Sequence, residues 1–432
     1  RDHGRWLEFR RVLFRSKDII QDLIDRGMLD NFSDREHIEK MLQTKQTIYC
    51  GFDPSAKSMQ LGNFVMITVL RRLQQAGHRI IAVIGGGTGM IGDPSGKKAE
   101  RSFLDEQTVI ANVEGIKAQL AKYLDFSDPE KGICVNNYDW WSKINVIEYL
   151  RDFGKVFPIN YMLSKEIVAS RLETGISYTE FSYMILQSGD FYRLHKEYGC
   201  SLQIGGGDQW GNLTSSLEMV RKKGNADDEA EVFSVKLITD SEGRKFGKSE
   251  RGALYLDADM TSPYFIYQYF INVGDNDVGR YLKIFDDRSM EVLDAIYHKH
   301  MEHPEYRYGQ KELAHSIVSI IHSKEVADDC VKMTEALFKD DFSGLNAKQL
   351  AEVAEGIKTV TKEGDIKLID ALIELGLASS RREAREFLKA GSIKVNGTKQ
   401  DDENLVLNKD NSLDGFFFIK RGKKNYACLI TK

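Results

Sequence analysis

The sequence predicts an α/β protein: a doubly wound parallel sheet, then an α-helical region, then a small α+β domain at the C-terminal end. Three observations predict it. Short apolar runs of five or six residues alternate with stretches of helical spacing, as buried parallel strands joined by crossover helices do. Glycine-rich turns follow the strands directly, where the ligands of such sheets sit. Charge is separated along the chain: the whole carries −5, whereas from Lys367 onward lysine and arginine exceed aspartate and glutamate by four. A length of 432 residues suits two or three domains. The acidic balance does not advertise nucleic-acid binding, so any basic surface must be local. No apolar run reaches the ~18 residues a membrane helix needs. Five cysteines without a CxxC spacing exclude a zinc ribbon and give no reason to expect disulfides, which fits a reducing cytoplasm.

Residues 1–16 are Arg-rich, but Asp2 and Glu8 count against a transit peptide, and the expectation is a non-native or disordered extension outside the function. Residues 17–46 spell helix, with Ile20, Leu23, Ile24 and Met28/Leu29 on one stripe and Ile38, Met41 and Leu42 on another. Residues 47–52 have the β-branched and aromatic content of a strand, which Asp53-Pro54-Ser55 stops. From Leu61 the pattern turns helical through Val65, Thr68/Val69 and Arg72/Leu73 until Gly77. Strand, loop and helix start make a place for an anion, because the first turn leaves backbone N–H groups unpaired, and Gly62 lets a ligand come close. Residues 79–84 and 133–137 read as two more strands, separated by a helix through Val109, Val113, Ile116 and Leu120. Residues 138–180 are irregular and polar, an insertion between the halves; 200–204 form another strand. Helices follow over 277–342, with Tyr281, Ile284, Val292, Ile296, Leu313, Ile317 and Ile320 facing inward, then a polar linker over 343–366. In the tail, Ser380 and Glu383 make a capping box and Gly391 stops the helix. Arg381, Arg385 and Lys389 share one face of it, and Asn396-Gly397 is a hairpin signal.

Residues 85–96 contain a formal GxGxxG after a strand, the dinucleotide fingerprint. A nicotinamide enzyme needs its helix to begin within those glycines, yet Asp93-Pro94-Ser95-Gly96 interrupts that turn, and no second strand ending in an acidic residue follows at the right distance. Tyr183, Gln187 and Asp190 fall at i, i+4 and i+7, so a helix would put three polar groups on one face of an apolar segment, where buried polar groups need partners. A structural network or a ligand would satisfy them. Residues 205–212 form another glycine turn after a strand, and 241–249 make a polar, glycine-containing loop, expected to be mobile, carrying Lys245 and Lys248.

The chain from residue 17 onward resembles the bacterial-type tyrosyl-tRNA synthetases, members of the class I aminoacyl-tRNA synthetases, whose catalytic domain is Rossmann-like. That class carries His-Ile-Gly-His at this helix start and a Lys-Met-Ser-Lys-Ser type loop late in the domain; here they read Gln60-Leu61-Gly62-Asn63 and Lys245-Phe246-Gly247-Lys248-Ser249. Gln60 and Asn63 replace the two histidines with neutral amides, which donate hydrogen bonds but do not become cationic near pH 7. The resemblance implies a tyrosine–tRNA ligase using ATP with Mg²⁺ and no tightly bound cofactor or protein-held metal. Lys245, Lys248, Gln60 and Asn63 would be catalytic. Tyr183 and Gln187, with Asp93 near them, would hold the substrate ammonium. Tyr49 and Asp190 would hydrogen-bond the phenolic hydroxyl, and Gln209 would sit beside the carboxylate. Cys50, Gly51, Asp53, Gly62, Gly206, Asp208 and Lys248 would bind ATP. It further implies a catalytic domain over 17–276, a helical tRNA-binding domain over 277–342, and an S4-like RNA-binding domain over 367–432 presenting Arg381, Arg385 and Lys389. The protein would be a cytoplasmic homodimer joined through the insertion, with the tyrosine tRNA as partner. Two further readings are a tryptophan-charging relative, which Asp190 opposite Tyr49 argues against, and an RNA-binding paralogue without activation, which the intact set of polar residues argues against.

Overall fold

The computed structural model of the protein describes residues 19–95, 104–225, 228–249, 252–422 and 425–432. The expected extension over 1–16 and Gly96 lie outside the described residues. The chain forms two compact units, one of residues through Met260 with Gly279–Asp294, the other of Thr261–Val278 with Ala295–Lys432.

The first unit is built on a six-stranded sheet of β1 (Leu29–Phe32), β2 (Thr47–Phe52), β3 (Arg79–Ile84), β4 (Gly132–Asn136), β5 (Leu202–Gly206) and β6 (Glu231–Val235), in the order β1-β6-β5-β2-β3-β4. All pairs are parallel except β1 with β6. From β2 the chain winds outward through β3 and β4, then returns to β5 and winds the other way, so the direction reverses between β2 and β5. In such a sheet the crevice beyond the carboxyl ends of those two strands is where a ligand fits.

The helix after β2 starts with a tight 3₁₀ turn over Leu61–Asn63 and continues as Phe64–Gln75, with Leu61, Val65, Thr68, Val69, Arg72 and Leu73 buried at the expected spacing. Its far end is anchored: Arg72 donates to the Asp286 carbonyl (2.7 Å) and Arg71 pairs with Asp287 (2.9 Å). Burial lowers the Arg72 guanidinium to about 10, partly offset by Asp287 and Asp22. The Glu106–Tyr123 helix buries Val109, Val113, Ile116 and Leu120, as periodicity requires.

Residues 17–46 are not continuously helical. The helix Ile19–Asp25 stops at Gly27, whose φ of 71° reverses the chain, and Leu29 becomes part of an antiparallel edge strand rather than of a helical stripe. Its partner β6 also escaped the sequence reading. Its wholly buried EVFSV is an apolar run too short to separate strand from core helix by period alone. Val292 is 44% exposed; its neighbour Leu293, at 1%, occupies the core instead.

In the second unit the helices Pro263–Ile271, Tyr308–Ile321 and Lys324–Lys339 pack together. The stretch read as a linker contains a helix, Ala347–Glu355, and a strand, β9 (Lys358–Lys362). Beyond it lie β10 (Ile366–Lys367), β11 (Ile393–Val395), β12 (Thr398–Gln400), β13 (Val406–Leu407), β14 (Phe416–Arg421) and β15 (Asn425–Thr431). The sheet order is β12-β11-β14-β15-β9, so the polar run 358–362 completes this sheet by pairing parallel to β15. The hairpin turns at Asn396-Gly397, both at positive φ. Ser380 caps the helix Arg381–Lys389, but Glu383 accepts from the backbone N–H of Ser379, not Ser380, so the reciprocal half of the expected box sits one residue early.

Candidate active site

A cavity of about 510 Å³ opens at the reversal between β2 and β5. Every residue that the sequence reading assigns to tyrosine, ATP or catalysis lines it, although these residues come from segments up to two hundred positions apart.

One end is buried and polar. The helix Tyr178–Tyr198, capped by Ser177, presents Tyr183, Gln187 and Asp190 on one face, because i, i+4 and i+7 share a face. Opposite, Tyr49 stands on β2, and its hydroxyl accepts from Gln203 Nε2 on β5 (2.9 Å), leaving its own proton to donate elsewhere. Asp190 accepts from Asn137 Nδ2 (2.9 Å), Trp140 Nε1 (2.8 Å) and Trp141 Nε1 (2.7 Å). Burial pushes its carboxyl up to about 7 against the pull of these three donors. A relay runs away from it: the Asn137 amide also donates to Thr88 Oγ1, which donates to Asp53 Oδ1 (both 3.0 Å), and Tyr183 donates to Asp53 Oδ2 (3.0 Å). Burial, then the nearby Asp53 and Asp93, raise the Tyr183 phenol well above its ordinary value, so it stays a neutral donor. Asp93 accepts from Gln209 Nε2 (2.8 Å) and the backbone N–H of Ser95 (2.9 Å). Gln187 is buried and its Oε1 has no hydrogen-bond partner among the described residues. An orphaned buried acceptor in a cavity that Asp53 and Asp93 also line suits a cationic donor.

The other end is open. Gly62, Asn63, Lys245 and Lys248 are exposed, and Gln60 is half-buried. The segment carrying the lysines is docked, not loose. Leu61 N–H donates to the Leu254 carbonyl (2.7 Å), and Leu254 N–H to that of Gly247 (3.0 Å). Gly247 has a φ of +76°, and a Cβ there would lie 2.8 Å from the Gly62 nitrogen. Phe246 is buried in a stack with Phe285 (5.0 Å), which itself stacks on Phe64 (6.0 Å). Beyond Lys248 the chain turns through β7 (Lys248–Ser249) and β8 (Gly252–Ala253). Loop composition suggested mobility; backbone pairing and an aromatic stack hold this segment beside the Gln60–Asn63 turn.

Cys50 and Gly51 near the end of β2, Gly206 at the end of β5 and Asp208 just after it line the cavity from adjacent strands. Burial pushes the Cys50 thiol far up, so it is a neutral group. The glycine loop forms one helical turn, Thr88–Ile91, broken at Gly92 before Asp93, so no helix start faces a pyrophosphate there as a dinucleotide site requires. Arg381, Arg385 and Lys389 are all exposed on their helix in the second unit; Arg381 pairs with Asp370 (2.8 Å) and Arg385 with Glu403 (3.1 Å). Such surface pairs are worth ~0–1 kcal/mol and do not tie the arginines up.

Sequence reasoning missed Thr88, Asn137, Trp140, Trp141 and Gln203. The readable signals were Asn136-Asn137 and Trp140-Trp141 just after a strand, and a polar residue inside the apolar strand at 203.

A family model described as tRNA synthetases class I (W and Y) matches residues 41–339, and one for the C-terminal domain of tyrosine–tRNA ligases matches 349–429. The chain is 46% identical to the tyrosine–tRNA ligase of Geobacillus kaustophilus over 420 residues, 95% of this chain and 99% of that one. It is 45% identical to that of Staphylococcus haemolyticus over 414 residues, covering 95% and 98%. Among solved structures it resembles a C-terminally truncated mitochondrial tyrosyl-tRNA synthetase of Aspergillus nidulans, with a TM-score of 0.67 and 29% identity over 78% of this chain and 99% of that one. A tryptophanyl-tRNA synthetase of Encephalitozoon cuniculi bound to tryptophan shares the fold, with a TM-score of 0.54 at 18% identity over 72% of this chain and 89% of that one.

Proposed function

The chain belongs to the class I tRNA synthetases of tryptophan and tyrosine, among them to the tyrosine–tRNA ligases, and from that premise we propose how its cavity works. The protein activates tyrosine with ATP and passes the tyrosyl group to tRNA. In our reading the buried end receives tyrosine. Tyr49 donates to the phenolic oxygen, and the phenolic O–H donates to Asp190. Phenylalanine would leave both groups unpaired, the asymmetry for which tyrosine charging is already the standard example. The ammonium lies among Gln187 Oε1, the Tyr183 oxygen and Asp93, with Gln209 turned toward the carboxylate. The observation that carries this reading is that one cavity joins this polar slot to Lys245 and Lys248.

A tyrosine carboxylate oxygen attacks the α-phosphorus of ATP; the bond from that phosphorus to the bridging oxygen breaks, and its electron pair leaves with pyrophosphate. Nothing covalent is asked of the protein. Gln60 and Asn63 donate hydrogen bonds, and the two ammonium groups of Lys245 and Lys248 meet the charge that grows on the leaving group, which is worth most where geometry is preset. Cys50, Gly51, Asp53, Gly62, Gly206 and Asp208 hold the nucleotide, Asp208 as a natural acceptor for ribose hydroxyls. Mg²⁺ would accompany ATP as counter-ion of the triphosphate.

The second unit grips tRNA, Arg381, Arg385 and Lys389 contacting phosphates; the domain limits 17–276, 277–342 and 367–432 belong to this reading as functional regions, whereas packing assigns Thr261–Val278 to the second unit and Gly279–Asp294 to the first. Exposed Val146, Ile147, Ile159, Leu172 and Tyr178 in the insertion support a homodimer formed there. Cysteines without disulfides support a cytoplasmic setting; no described helix is long and apolar enough to cross a membrane. Pyrophosphate exchange into ATP with each amino acid in turn tests the whole: tyrosine alone should support it efficiently, and equal exchange with phenylalanine or tryptophan would refute the slot.

A further inference from the structure

We infer that Trp141 is a positioning residue for amino-acid selection: seated across Gly189, it completes the pair of indole donors that occupies Asp190 Oδ1 and leaves Oδ2 to read the substrate hydroxyl. The inference rests on the proposed role of Asp190 and deepens it. An ionised carboxylate has about four acceptor positions, two on each oxygen. Trp140 and Trp141 take both on Oδ1, and Asn137 takes one on Oδ2. One remains, on Oδ2. Asp190 and Asn137 line the cavity whereas neither indole does, so the two N–H groups hold Oδ1 from outside the slot.

The seat for Trp141 is made by the residue beside Asp190. Gly189 lies in the middle of the Tyr178–Tyr198 helix, where glycine is disfavoured. A Cβ there would lie 2.6 Å from Trp141 Cη2 and 2.7 Å from Cζ2, so the indole rests on the bare helix backbone. The ring is also flanked by Phe153, at 5.1 Å and 66°, and by Tyr149, at 6.5 Å and 75°. A heavy ring so confined fixes both its own N–H and the carboxylate that accepts from it. Without Trp141, Oδ1 would keep an open acceptor position, and the carboxylate could turn or bind its own proton; it would then compete with the substrate O–H instead of accepting from it.

The test is pyrophosphate exchange with tyrosine and with phenylalanine for the full chain and for Trp141→Phe, Gly189→Ala and Asp190→Asn. Trp141→Phe removes the donor and keeps an aromatic ring. Gly189→Ala keeps the donor and displaces it, and serves if the first variant does not fold. Each should lower kcat/KM for tyrosine on the order of tenfold, as for one lost hydrogen bond to a charged group, while the phenylalanine value and KM for ATP stay unchanged. The tyrosine-to-phenylalanine ratio therefore falls, which a merely structural role would not produce. Equal losses for both amino acids, or an unchanged ratio in a folded variant while Asp190→Asn collapses it, would overturn the inference. An Asp190→Asn enzyme that keeps its full preference would overturn the underlying reading of Asp190 instead.

Discussion

The two ends of the cavity are built on opposite plans. At the buried end, which we propose receives the amino acid, Tyr49, Tyr183, Gln187 and Asp190 are buried; Tyr49, Tyr183 and Asp190 have protein partners at 2.7–3.0 Å, and Gln187 Oε1 is left without one. At the open end, which we propose receives the triphosphate, Lys245, Lys248 and Asn63 are exposed, and what is fixed is the backbone beneath them, through the close approach of Gly247 to Gly62 and the Phe246–Phe285–Phe64 stack. The difference teaches where each kind of specificity comes from. Telling a phenol from a phenyl ring needs donors and acceptors that lose water for good, because only then does an unpaired group cost anything. Meeting charge that appears late in a reaction needs cations that are placed but still hydrated until the triphosphate replaces the water.

If that contrast holds, damage at the two ends should separate cleanly. The largest effect should come from Asp190→Asn, which puts an amide donor against two indole N–H groups: kcat/KM for tyrosine should fall roughly 1,000-fold with little change for phenylalanine, read by pyrophosphate exchange. Next is Gly247→Ala, where the new Cβ meets the Gly62 backbone in a conformation side chains avoid. Single-turnover adenylate formation should slow about 100-fold while equilibrium tyrosine binding is kept; a parallel loss of binding would mean the two ends are one rigid unit. Lys248→Ala should slow the same step by about one order of magnitude, again without weakening tyrosine. Asp190 also makes the buried end pH-sensitive. With its folded-state value raised to about 7, the acceptor form is lost as pH falls through that value, so tyrosine kcat/KM should drop about tenfold from pH 8 to pH 6. The same shift means that, over the window from about 4 to about 7, folding binds a proton that the unfolded chain releases, so this group's contribution to stability declines as pH rises. A flat profile for tyrosine would put Asp190 outside recognition. Smallest is the triple change Arg381→Ala, Arg385→Ala, Lys389→Ala. It should reduce tRNA charging about fivefold, more weakly as salt is raised, and leave adenylate formation untouched.

That the candidate residues would meet in one cavity was readable because their signals are local. The Tyr183/Gln187/Asp190 face needs only helical spacing, and the Gln60–Asn63 turn announces itself by a strand, a proline stop and a new period. The fold was readable in the same way, except where burial and period disagreed. The edge strand β1 was absorbed into a helical stripe, and β9 was hidden in a polar linker because its Lys-Thr-Val-Thr-Lys, half-exposed and with a single apolar residue, looks like loop.

What the sequence alone determined is the succession of strands, turns and helices and the residue types that chemistry demands at their ends, since backbone preference and hydrophobic period act over a few neighbours. Only the tertiary structure decided which acceptor each donor meets. That Trp141 reaches Asp190 across Gly189, and that Thr88 and Asn137 link Asp190 to Asp53, follow from distances between elements packed in a low-dielectric interior, and no spacing along the chain encodes those distances.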